Sequence, residues 1–129
     1  MYIKLHYPKE FFSSYDEMFF KLTDIIEIKF ENFSGCTSVY HIFSQSSSLE
    51  NLYLSSFDTS KIINMFDMFS HCIFLKNINI SIFNTSEVTN MRGMFYNCFS
   101  LEYIDLSTFN TSKVDNMYRI FTNCTSLKV

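Results

Sequence analysis

The sequence predicts an α/β solenoid, a right-handed leucine-rich-repeat type of array with parallel strands on the concave side and short helices on the convex side. Three observations lead there. The chain repeats itself every 26 residues, the first half of each unit alternates with period 2, and the second half spaces its apolar residues as a helix does.

The period comes first, because a missed repeat misassigns the whole fold. Residues 49–74, 75–100 and 101–126 align without gaps, and Leu127 opens a further copy. Nine columns are identical in all three copies: Leu49/Leu75/Leu101, Ser55/Ser81/Ser107, Phe57/Phe83/Phe109, Thr59/Thr85/Thr111, Ser60/Ser86/Ser112, Asn64/Asn90/Asn116, Met65/Met91/Met117, Phe69/Phe95/Phe121 and Cys72/Cys98/Cys124. A degenerate copy spans 23–48. On a strict 26-residue frame it puts Ile26 and Ile28 in the Leu52 and Leu54 columns, and Val39, Ile42 and Phe43 in the Met65, Met68 and Phe69 columns. Residues 1–22 do not align and are expected to cap the 23–129 array, since terminal repeats are usually atypical.

Within a unit, Leu49, Leu52, Leu54 and Phe57 alternate with Asn51, Tyr53 and Ser55, as in a strand with one buried face. Asp58-Thr59-Ser60 then suits a turn, because short polar side chains bond their own backbone. In the second half, Val88, Met91, Met94, Phe95 and Cys98 would share one face of a helix of about ten residues, with Ser60, Ser86 and Ser112 as N-caps. Strands pack about 4.8 Å apart and helices no closer than about 8–10 Å, so such a stack should curve with its strands inside.

The phrases LSxF(D/N)TS, NMxxMF and NCxSL resemble the 26-residue leucine-rich repeat of bacterial surface proteins, the BspA-like and mycoplasma-type lipoprotein repeat. The likeness covers 49–127 closely and 23–48 weakly. It implies exposure at the cell surface or secretion, and a role in adhesion or protein binding. The chain departs from that pattern in showing neither a signal peptide nor a lipobox.

Composition excludes several classes. Two glycines, standing apart at Gly35 and Gly93, cannot form a phosphate-binding loop. A net charge of -3 with no cluster of Lys or Arg gives no nucleic-acid footprint. No apolar run is long enough to span a bilayer. The partner that the resemblance implies is a protein or a cell-surface or matrix component.

No catalytic, cofactor or metal residues are expected. The Cys72, Cys98 and Cys124 column, like Cys36, reads as buried reduced thiols packed as small apolar groups. Its spacing matches no zinc signature. His6, His41 and His71 fall in separate columns, and the Asn column is expected to bond backbone in the turn. Asn-x-Ser/Thr at Asn32, Asn79, Asn84, Asn110 and Asn123 has meaning only in a eukaryotic secretory pathway.

The candidate binding surface is the exposed strand face: Asn51, Tyr53, Ser55, Asn77, Asn79, Ser81, Tyr103, Asp105 and Ser107. Here a variable set sits on a constant frame, which suits either a specific interface or an ordinary solvated face. The leading expectation is a non-catalytic interaction or adhesion module. The alternatives are a purely structural fragment of a longer repeat protein and a thiol-dependent enzyme. The sequence also predicts that Ile104, Leu106, Met117 and Phe121 lie partly uncovered, and that such an end favours end-to-end association.

Overall fold

The computed structural model describes residues 2–6, 14–25, 27–31 and 33–128, among them the backbone alone of 2–6, 30 and 31. Ile26 and Asn32 lie outside the described residues. Three short strands, β1 (Tyr2–His6), β2 (Glu27–Glu31) and β3 (Asn51–Tyr53), form one parallel sheet in the order β1-β2-β3. Further copies are joined by single parallel bridges, Ser38↔Asn64↔Asn90↔Asn116 and Asn77↔Tyr103. Each 26-residue unit is thus one layer lying on the next.

No helix occurs among the described residues, so the expected helix-backed array is incorrect. Hydrogen bonding supplies the reason. The N–H groups of Met65, Asp67, Phe69 and His71 donate to the carbonyls of Asn90, Arg92, Met94 and Tyr96 in the next layer. The intervening N–H groups of Met68, Ser70 and Cys72 turn back to carbonyls three residues earlier. The same pattern links Met91, Gly93, Phe95 and Asn97 to Asn116, Tyr118, Ile120 and Thr122. A helix would keep all these donors inside its own turn. Here every second donor crosses between layers, which makes a ladder out of successive tight turns.

Those turns need left-handed backbone at fixed places. Glu17 and Lys21, His41 and Gln45, Asp67 and His71, Gly93 and Asn97, and Arg119 and Asn123 all have φ between 50° and 64°. The paired positions lie four residues apart in every layer, and an α-helix accommodates neither member. The serines expected as N-caps instead receive bonds: the N–H groups of Ser60, Ser86 and Ser112 donate to Oδ1 of Asp58, Asn84 and Asn110.

The argument for curvature falls with the helices. Stacked phenylalanine rings on the turn wall, Phe43, Phe69, Phe95 and Phe121, are spaced by 5.5, 5.3 and 5.4 Å. On the strand wall Phe57, Phe83 and Phe109 are spaced by 5.9 and 6.5 Å. The two walls have similar spacing, so nothing forces the strand face to the inside of a curve.

The inward residues read from both halves of the unit are buried. Leu49, Leu75, Phe57, Val88, Met91, Met94, Phe95 and Cys98 belong to one continuous core. Ile104, Leu106 and Phe121 are half-buried and Met117 is exposed, so the face of the 101–126 layer is partly uncovered as expected.

Register corrects the first copy. Ile28 pairs with Leu52, not Leu54, and Phe33 pairs with Phe57, an offset of 24, whereas Ser38 pairs with Asn64 at 26. Two residues are missing from the turn between Phe33 and Ser38, so the strict 26-residue frame holds only after it. Residues 2–6 and 14–22 also belong to the stack, because β1 pairs with β2 and the N–H groups of Tyr15, Glu17, Phe19 and Lys21 donate to the carbonyls of Ser38, Tyr40, Ile42 and Ser44.

Candidate functional site

The strand face is built by alternation above a closed core. Leu52, Leu54, Ile78 and Ile80 point inward and are buried. Their neighbours Asn51, Tyr53, Ser55, Asn77, Asn79, Ser81, Tyr103, Asp105 and Ser107 are all exposed, Tyr53 at 47% and Tyr103 at 62%. Tyr53 and Asn79 line one shallow cleft of about 140 Å³, together with Leu52, Leu54, Ser55 and Ile82. Asn79 also lines a second cleft of about 410 Å³ with Asn77, Ser81, Tyr103 and Asp105. Asn79 therefore joins the two tyrosines into one stripe across three layers.

Local chemistry fixes parts of this stripe. Asn79 Oδ1 accepts from the N–H (3.1 Å) and the hydroxyl (2.7 Å) of Ser81. Asp105 Oδ1 accepts from the Ser107 N–H at 2.9 Å, and this bond holds the Asp105 carboxyl below its usual range. The ammonium of Lys29 sits 4.7 Å from the centroid of the Tyr53 ring, within cation–π range. Two contributors escaped the sequence reading. Lys29 belongs to the degenerate copy, whose register was misaligned. Ile82, 49% exposed, stands where the other copies have Ser56 and Thr108. An apolar residue in an otherwise polar column was the available signal.

The cysteines occupy a different place. Cys72, Cys98 and Cys124 donate their thiols to the carbonyls of Phe43, Phe69 and Phe95 in the preceding layer, at 3.1, 3.1 and 3.0 Å. Burial pushes Cys72 and Cys36 up to about 12 and raises Cys98 and Cys124 as well. A thiol this reluctant to ionise is a poor nucleophile. His71, beside Cys72, is engaged elsewhere. Asn97 Oδ1 accepts from Asn123, so its Nδ2 donates to His71 Nε2 at 2.8 Å, and Nδ1 faces the Ser70 hydroxyl at 2.8 Å.

The Asn column bonds backbone: Oδ1 of Asn64, Asn90 and Asn116 accepts from the N–H of Phe66, Arg92 and Tyr118. On the same wall His41 Nε2 lies 3.3 Å from Asp67 Oδ2, near enough to attract but off the line of a hydrogen bond. Burial raises the Asp67 carboxyl against the opposing influence of His41, Arg92 and His71. Among the described residues no three His, Cys, Asp or Glu side chains are grouped to hold a metal ion, and no helix is long and apolar enough to cross a membrane.

Residues 13–129 match the family model described as a Mycoplasma protein of unknown function, DUF285. The chain belongs to that family. The match spans the described layers from Ser14 onward. The comparisons with curated proteins and with solved structures give no match.

Proposed function

We propose that this DUF285 protein is a non-catalytic protein-interaction module whose strand face carries the contact. One observation supports the reading most: Tyr53, Asn79, Tyr103 and Asp105 form a continuous exposed stripe beside the inward-facing strand residues. Tyr offers a large contact area at little cost in side-chain entropy, and the charged Asp105 beside Tyr103 adds directionality. The column varies as Tyr53, Asn79 and Asp105 while the serine column Ser55, Ser81 and Ser107 stays constant, which lets specificity change without disturbing the stack. The BspA-like resemblance of the repeat favours adhesion at a cell surface as the setting.

The test is a quantitative pull-down from the protein's native surroundings. Wild type, a Tyr53→Ala/Tyr103→Ala double variant and a Glu87→Ala control would serve as baits. The reading expects a partner retained by wild type and by the control, and reduced at least about tenfold by the double variant, about 1.4 kcal/mol. Equal retention by all three baits would refute it.

A further inference from the structure

The opposite wall holds a second surface that the sequence reading did not single out. Both arginines of the chain, Arg92 and Arg119, are on it. Both are exposed, and both stack against Tyr118, with Cζ 5.5 and 5.0 Å from its ring centroid. Arg92 also lies 5.3 Å from the Phe66 ring, and Arg119 lies 5.7 Å from that of Tyr96. Tyr118 itself is 57% exposed.

Neither arginine is neutralised in the way that Lys113 and Lys128 are. Lys113 pairs with Glu87 at 2.8 Å and Lys128 with Glu102 at 2.6 Å. Neither Arg92 nor Arg119 has a carboxylate within ion-pair distance among the described residues. Asp67, the acid electrostatically felt by Arg92, is turned to His41 and occupies the space above Gly93. Stacking uses only the face of a guanidinium. Among the described residues neither guanidinium donates a hydrogen bond, so its N–H donors stay free to bind.

We propose that Arg92, Tyr118 and Arg119 form a docking site for an acidic segment of a partner protein, with one carboxylate received by each guanidinium. The fit rests on charge complementarity: two exposed planar cations with unused donors suit carboxylates, which guanidinium binds in a two-pronged fashion. Their shared contact with Tyr118 keeps them close. Arg and Tyr are also the residue types that most often dominate binding energy at protein interfaces. The site is separate from the strand-face stripe, so either surface can fail without the other.

The probe is a fluorescent octaglutamate peptide, followed by polarisation at low ionic strength. An Arg92→Gln/Arg119→Gln variant should bind at least about tenfold more weakly than wild type. A Lys113→Gln/Lys128→Gln variant, with the same loss of charge, should stay within about twofold, as should Tyr53→Ala/Tyr103→Ala. Arg92→Lys/Arg119→Lys should fall between, because lysine keeps the charge but loses the fork. Equal weakening by the arginine and lysine-to-glutamine pairs would mean unspecific attraction and would overturn the proposal. So would no binding of octaglutamate, or arginine-dependent binding of a heparin octasaccharide in its place.

Discussion

The carboxylate of Asp67 fills the space that a side chain at position 93 would need. A Cβ on Gly93 would collide with Asp67 Oδ1 and stand 3.1 Å from Cγ, and the backbone there has φ of +59°. Two separate costs attach to Gly93→Ala: left-handed strain of about 1–2 kcal/mol, and expulsion of the Asp67 carboxylate from beside His41. Combining the change with Asp67→Ala removes the collision and leaves only the strain. Urea denaturation of both single variants and the double should give less than additive losses. Strict additivity would show that the two residues do not share that space.

The threonine column predicts a graded result. Thr85 Oγ1 accepts from the Asn110 N–H at 2.8 Å and donates to the Asn110 carbonyl at 3.1 Å, so one buried hydroxyl satisfies both backbone groups of the next layer. Thr59 does the same for Asn84. Thr85→Val keeps the shape and should cost about 1–3 kcal/mol, the penalty for stranding buried polar groups. Thr111 is exposed and makes no such bond, so Thr111→Val should be nearly neutral by thermal denaturation.

These columns show how much of the fold was legible in the sequence. Identity at Thr59/Thr85/Thr111 and Cys72/Cys98/Cys124 reveals the period, and Thr59, Thr85 and all three cysteines bond a neighbouring layer in the same way within their column. Burial was legible too, since Val88, Met91, Met94, Phe95 and Cys98 are all inside. The backbone was misread because a run of overlapping turns throws apolar residues inward at the same 3-3-1-3 spacing as a helix. The decisive signal was the residue type at the left-handed positions. Asp67, Gly93, Asn97 and Asn123 tolerate positive φ; Asp67 and Gly93, like Asn97 and Asn123, recur 26 apart, and Gly93 and Asn97 lie four apart. Arg119, with φ of 61°, blurs that signal. The strand-face residues followed directly from alternation. The Arg92–Tyr118–Arg119 cluster did not, because its members come together only when adjacent layers stack.

The thiols predict an alkaline weakness. An acid whose folded value exceeds its unfolded one binds its proton more tightly in the folded state. Its contribution is full below the unfolded value and is lost as pH rises toward the folded one. For Cys36 and Cys72 that window runs from about 8.5 in the unfolded chain to about 12 in the folded protein. The urea midpoint should fall as pH rises above about 9, and less steeply in Cys72→Ala. At neutral pH, thiol titration of unreduced protein should find four free thiols after unfolding. In the folded state the half-buried Cys124 should react first.

The last prediction concerns the uncovered face of the 101–126 layer. Met91 is fully buried by the layer above it, whereas Met117, its counterpart, is 41% exposed. Met91→Ala should therefore cost about 2–5 kcal/mol by leaving a cavity, and Met117→Ala much less. Along the turn wall the backbone of this face carries mainly unused donors. The N–H groups of Met117, Arg119, Phe121 and Asn123, which in earlier layers donate across the stack, have no acceptor among the described residues. The carbonyls of Asn116, Tyr118, Ile120 and Thr122 already accept from the preceding layer. Two such faces related by a two-fold axis that sets turn wall against turn wall would oppose these donors to one another. Self-association of the 129-residue chain is then expected to rest mainly on Met117, Ile120 and Phe121. Sedimentation should show concentration-dependent association at micromolar protein that Met117→Glu abolishes, with little loss of thermal stability. A wild-type chain that stays monomeric across that range would show that these side chains do not suffice.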